Sequence, residues 1–222
     1  MGGWKMLQLS STTSSLYSSA ILTFGAGFTT RLLIFIMTVL LARELSPEGY
    51  GQFTFATGFA MLLAQSAGLG WPMLMPRLLP SYRARQEWSL MRSLLQWTDI
   101  VVVVASLVIT AAIGTVLVLG QLQKDIATGI ALAMFLVMPN AVNLARRSQL
   151  AGVKRPASGI LLDEGLPPAI LILVLIVMDL REAEEAIYWL SAATILAVLA
   201  GTIALWKALP AVKNGKTYEV SL

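Results

Sequence analysis

Residues 20–42 read AILTFGAGFTTRLLIFIMTVLLA, a run of the length a helix needs to cross a bilayer, interrupted by one charge, Arg31. A span takes about 20 mainly apolar residues, and five further stretches of that kind follow. We place the six at 20–42, 50–70, 97–120, 126–145, 159–179 and 186–206. Transmembrane β-strands are excluded, because they run only about ten residues with alternating polarity. The expected fold is therefore an all-α integral membrane protein, a six-transmembrane-helix bundle. Residues 1–206 form the lobe, and 207–222 a cytoplasmic tail or a truncated inter-lobe linker.

Composition agrees. The 222 residues are 57% hydrophobic and 13% charged, with mean hydropathy +0.75. A soluble domain carries about 25% charged residues, so this chain has half the charge needed to coat a water-facing surface. The net +4 does not point to nucleic acid, because the basic residues sit in short loops beside apolar spans. The N-terminus lacks the apolar core of a secretory signal and misses the myristoylation pattern at its sixth residue, Met6.

Loop charges predict the orientation. Lys5, Arg77, Arg83, Arg85, Arg92, Arg146, Arg147, Lys154, Arg155, Lys207, Lys213 and Lys216 fall on one side, and only Arg43, Lys124 and Arg181 on the other. The bias toward cytoplasmic Lys and Arg places both termini in the cytoplasm. Trp97 and Trp206 stand at predicted span ends, where amphipathic rings suit the interface. In the polar 71–96 connection, Ala84, Trp88, Met91 and Leu95 recur at helical spacing. They predict either an interfacial helix on the inner leaflet or an ordinary helix packed on the bundle.

Arg31 is the first candidate for chemistry. It lies eleven residues from either predicted end of its span, roughly 16 Å at 1.5 Å per residue. A guanidinium facing lipid at that depth costs several kcal/mol, so it must face protein or a watery cavity. Ala20, Thr23, Gly27, Arg31, Thr38 and Ala42 share one small, polar helical face, opposite Leu33, Phe35, Ile36 and Leu40. Either Arg31 lines a cavity and holds a phosphate or pyrophosphate, which its planar fork suits, or it pairs with an acid or carbonyls of another span. Asp163, Glu164 and Asp99 are the nearest acids by sequence, and none sits obviously at its depth. Asp163 and Glu164 read as partners of Arg146, Arg147 or Lys154 rather than as cation-coupling groups.

Three amides complete the candidate substrate-binding set. Asn140 and Asn143 share a face with Arg147, just after Pro139, which removes a helix hydrogen bond. They either bond a sugar or bridge neighbouring helices, and Gln65 in the second span offers the same choice. Pro167 and Pro168 predict a bend in the fifth span. Catalysis finds no foothold: with no His and no Cys there is no Ser-His dyad, no Cys nucleophile and no His-based metal site. No P-loop or intramembrane carboxylate cluster is present, and no cofactor is expected.

The stretch Arg31 to Arg85, from TRLLIFIMTVLLARELSPEGYGQ onward, carries a resemblance. Leu41-Ala42-Arg43, Ser46-Pro47-Glu48-Gly49-Tyr50-Gly51, Gly68-Leu69-Gly70 and Arg77-Leu78-Leu79-Pro80, with Arg146 to Gly152, resemble the opening of polysaccharide biosynthesis (Wzx-type) oligosaccharide flippases. These belong to the multidrug/oligosaccharidyl-lipid/polysaccharide exporter superfamily. The resemblance implies a transporter in the inner membrane that turns undecaprenyl-pyrophosphate-linked sugars by alternating access, driven by an ion gradient. Arg31 then matches a cationic position of the central cavity. Such flippases have two lobes, whereas this chain supplies one. The expectation is a truncated product, or a lobe completed by a second six- to eight-helix lobe or by a homo-oligomer. A drug or cation antiporter lobe and a non-transporting membrane scaffold are the alternatives.

Overall fold

The computed structural model describes residues 3–120, 123–178, 180–209, 211–213 and 216–218. The helices are α1 (Gly3–Glu44), α2 (Pro47–Ala67), α3 (Trp71–Ala84), α4 (Trp88–Leu119), α5 (Lys124–Gly152), α6 (Pro156–Ile160), α7 (Leu166–Val177) and α8 (Ala183–Ala208). A π-helical turn, Leu161–Gly165, joins α6 to α7. Beyond α8, β1 (Ala211–Lys213) and β2 (Lys216–Tyr218) pair antiparallel as a short hairpin.

Among the described residues, five stretches are long and apolar enough to cross a membrane: Ser19–Glu44, Trp88–Leu119, Ile126–Gly152, Pro156–Val177 and Ala183–Ala208. Helices α2 and α3 qualify together as a sixth, bent by 46°. The break falls at Gly68-Leu69-Gly70, where Leu69 and Gly70 take positive φ (46° and 78°), which ends α2 and restarts the chain before Pro72. The all-α bundle expected from the sequence is thus the fold.

Several elements are punctuated as their residues dictate. Ser46 caps α2, its hydroxyl accepting the Gly49 N–H at 3.1 Å, and Pro47 takes the first helical turn, where no donor is needed. A Cβ on Gly49 would press to 3.3 Å from that hydroxyl. Glu184 and Glu185 sit in the first turn of α8 and Lys207 in its last, each opposing the helix dipole.

Helix α5 is the axis of the bundle, packed against α2, α3, α4, α6 and α8. One core cluster joins Leu41, Phe53, Leu136, Leu171 and Ile187 from five elements. A second joins Met75, Leu79, Trp88, Met91, Leu95, Leu150 and Leu205. Of the two readings of the 71–96 connection, the helix packed on the bundle is the one found, although Ala84 ends a separate helix, α3. Trp88, Met91 and Leu95 belong to no interfacial helix: α4 begins at Trp88, nine residues before the expected start, and those side chains are its packing face against α3 and α5. Trp97 consequently lies inside α4 rather than at its end, while Trp206 does lie in the last turn of α8.

Helix α1 lies at the margin. It packs mainly on the α6–π-turn–α7 span, through Ala26, Thr30, Met37 and Leu41. Only 17% of its most apolar window is buried, against 44% for α5.

Candidate functional site

Two prolines explain how polar groups come together inside this apolar bundle. A proline lacks the N–H that would bond the carbonyl four residues earlier, and its ring crowds that carbonyl. Pro139 therefore frees the carbonyl of Phe135, which accepts instead from the Ser191 hydroxyl of α8 at 3.2 Å. Pro167 frees the carbonyl of Asp163, which accepts from the Asn143 amide of α5 at 3.3 Å. A carbonyl left unpaired in an apolar setting is costly, and each freed carbonyl is met by a side chain of a neighbouring helix.

The segment before Pro167 does more. The chain takes a π-helical turn there, the Leu166 N–H reaching back to the Leu161 carbonyl. Asp163 and Glu164 sit on that turn and meet Arg147 of α5. The Arg147 guanidinium lies 3.4 Å from Asp163 Oδ2 and in close contact with Glu164 Oε1. Of the partners expected for these acids, Arg147 is the one found.

The other oxygen of Glu164, Oε2, faces α1. It lies 3.6 Å from the Arg31 guanidinium. That corrects the expectation that no acid reaches the depth of Arg31. Glu164 is eight residues beyond Pro156, where this span begins, about 12 Å along a helix axis. Gly165 closes the remaining gap: a Cβ there would stand 3.0 Å from Thr30 Cγ2, so the bare backbone lets α1 approach. The pair is nonetheless open, with the Arg31 side chain 73% exposed and that of Glu164 21%. A shallow, open groove on the surface of α1 itself is lined by Ser19, Ala20, Thr23, Phe24, Gly27, Phe28 and Arg31. Four residues of the small, polar face named from the sequence thus line it. Leu33, Phe35, Ile36 and Leu40 on the other side are only partly covered, because α1 packs along one narrow stripe.

The remaining candidates are placed as follows. Asn143 is buried with its amide given to Asp163, and Asn140 is half-buried. Gln65 is exposed on α2, and neither it nor Asn140 bonds to the charged cluster in the described contacts.

Sequence reasoning missed a second polar cluster. Arg146 lies 2.9 Å from Asp99 Oδ2 of α4 and donates to Gln149 Oε1 at 2.7 Å, while the Gln149 amide donates to Asp99 Oδ1 at 3.0 Å. Neighbouring residues of a helix diverge by about 100°. Arg146 therefore turns to α4, and Arg147 to the π-helical turn. Only the three-residue spacing of Arg146 and Gln149 hinted at the first arrangement.

The family model described as polysaccharide biosynthesis protein matches residues 16–208. The chain belongs to that family. No curated protein and no solved structure matches it. Members of the polysaccharide biosynthesis family are typically transporters or flippases rather than enzymes. With the apolar helices above, membership makes this a multi-pass membrane protein with a transport-type role.

Proposed function

We propose that the chain is one lobe of a transporter in the inner membrane. It would carry a lipid-linked, undecaprenyl-pyrophosphate oligosaccharide across the bilayer for polysaccharide biosynthesis, with Arg31 receiving the pyrophosphate. Alternating access requires two bundles rocking about one site, so a second lobe or a second copy covers the open face of α1. A single observation carries this reading: a guanidinium in the interior of a membrane span is 73% exposed beside an open groove. Lipid does not satisfy such a group, whereas an anion does, through paired charge-assisted hydrogen bonds.

Reconstitution with a partner lobe tests it, by following labelled lipid-linked sugar to the opposite leaflet. Removing charge-assisted bonds to phosphate costs about 1.5–3 kcal/mol, so Arg31→Ala is expected to lower pyrophosphate-lipid affinity by about 10- to 100-fold. Unchanged flipping in Arg31→Ala overturns the role.

One observation favours a second reading, a drug or cation antiporter lobe: two carboxylates, Asp163 and Glu164, stand inside a span. Both are held by Arg147, which leaves them less free to carry a cation. Under that reading Asp163→Asn and Glu164→Gln abolish ion coupling; under the first they do not.

A further inference from the structure

We infer that Glu164 is an internal counter-anion for Arg31, occupying it between substrates and giving way to the phosphate of an arriving ligand. The inference rests on the assignment of Arg31 as the anion-binding residue and specifies what the ligand must displace.

The four charges at the π-helical turn are unequally held. Arg147 has both carboxylates, Asp163 at 3.4 Å and Glu164 in close contact. Arg31 has one carboxylate oxygen, Glu164 Oε2, at 3.6 Å, beyond the reach of a charge-assisted hydrogen bond. It is also the most exposed member, at 73% against 35% for Arg147. Two guanidinium and two carboxylate groups balance, so the cluster is neutral with its loosest cation at the open end. A phosphate can take the donors of Arg31 while Glu164 stays with Arg147, and no buried charge is then left alone. Glu164 cannot withdraw its field, however: its oxygen remains a few ångströms away and opposes the incoming anion. It therefore weakens capture and favours release, as a carrier needs.

The position is built, not incidental. Pro167 follows directly on the π-helical turn, the carbonyl of Asp163 is held by Asn143, and Gly165 admits Thr30 of α1 beside the acid.

Binding to the full chain in lipid nanodiscs tests the idea. The probes are a short polyprenyl pyrophosphate, inorganic pyrophosphate and the matching uncharged polyprenol. Glu164→Gln is expected to bind the polyprenyl pyrophosphate about two- to fivefold more tightly, the scale of one partly exposed ion pair. Glu164→Asp, which keeps the charge for Arg147 but draws it back from Arg31, should show a smaller gain. Arg31→Ala should lose binding, and adding Glu164→Gln to it should restore nothing. A gain with inorganic pyrophosphate as well assigns recognition to the anion alone. A gain confined to the lipid assigns it to the lipid headgroup, and either supports displacement. The polyprenol should respond to none of the changes.

If Arg31→Ala abolishes binding but neither Glu164 variant tightens it, the counter-anion role is overturned and the anion site stands. The role is equally overturned if Glu164→Gln still tightens binding when combined with Arg31→Ala. If Arg31→Ala binds as the unaltered chain does, the anion site itself fails, and the counter-anion with it.

Discussion

Charged residues inside this bundle do different work according to what surrounds them. Arg146 is 11% exposed, engaged by Asp99 and Gln149 across α4 and α5, with its Nε buried and unpaired. Arg31 is open on one side and lightly held. The first is a lock and the second an anchor point. Breaking a buried pair leaves a desolvated charge alone, at about 3–5 kcal/mol. Since Asp99 is itself partly exposed, Asp99→Ala is expected to destabilise the detergent-solubilised chain by about 3 kcal/mol, the lower end of that range. Thermal unfolding should show this loss, while pyrophosphate-lipid binding by the folded fraction stays unchanged. For Arg31→Ala the two readouts exchange: binding falls and unfolding scarcely moves, because an exposed pair contributes at most about 1 kcal/mol.

At the scale of elements, proline sets where helices are joined by polar bonds. Phe135 and Asp163 each stand four residues before a proline, and each carbonyl is met by a side chain of another helix, Ser191 and Asn143. Intramembrane hydrogen bonds of this kind contribute about 0.6 kcal/mol, rising to ~1.7. Asn143→Ala is therefore expected to cost about 1 kcal/mol. Pro167→Ala returns an N–H that can take the Asp163 carbonyl back into the helix, so Asn143→Ala should cost less in that background. A double-mutant cycle on unfolding free energy measures the coupling. Additive costs would mean that Pro167 does not create the acceptor.

Across the whole molecule, α5 joins the clusters and α1 stands apart. Arg146 and Arg147 of α5 hold α4 on one side and the π-helical turn on the other. Helix α1 touches that assembly through a narrow stripe and leaves its groove open. Loop charge predicts which side of the membrane each end faces. The chain has no cysteine, so single cysteines report topology without further change. Arg85→Cys and Lys154→Cys should react with a membrane-impermeant maleimide only from the cytoplasmic side, and Glu48→Cys only from the other. Labelling of all three from one side would refute the expected orientation.

Much of this was legible in the residues themselves. The apolar helices and their order, the capped turn at Ser46-Pro47, the carbonyls freed by Pro139 and Pro167 and the lone charge of Arg31 within its apolar helix follow from hydropathy, chain stereochemistry and the cost of charge in lipid. Those forces act on a residue and its near neighbours, so they can be read along one dimension. Partners could not be read this way. Asp99 and Gln149 are far apart in sequence, Arg146 and Arg147 are adjacent yet turn to different helices, and Glu164 reaches Arg31 because Gly165 lets α1 close on a π-helical turn. Such contacts depend on helix rotation and on separations of a few tenths of an ångström, and only packing of the whole bundle decides those.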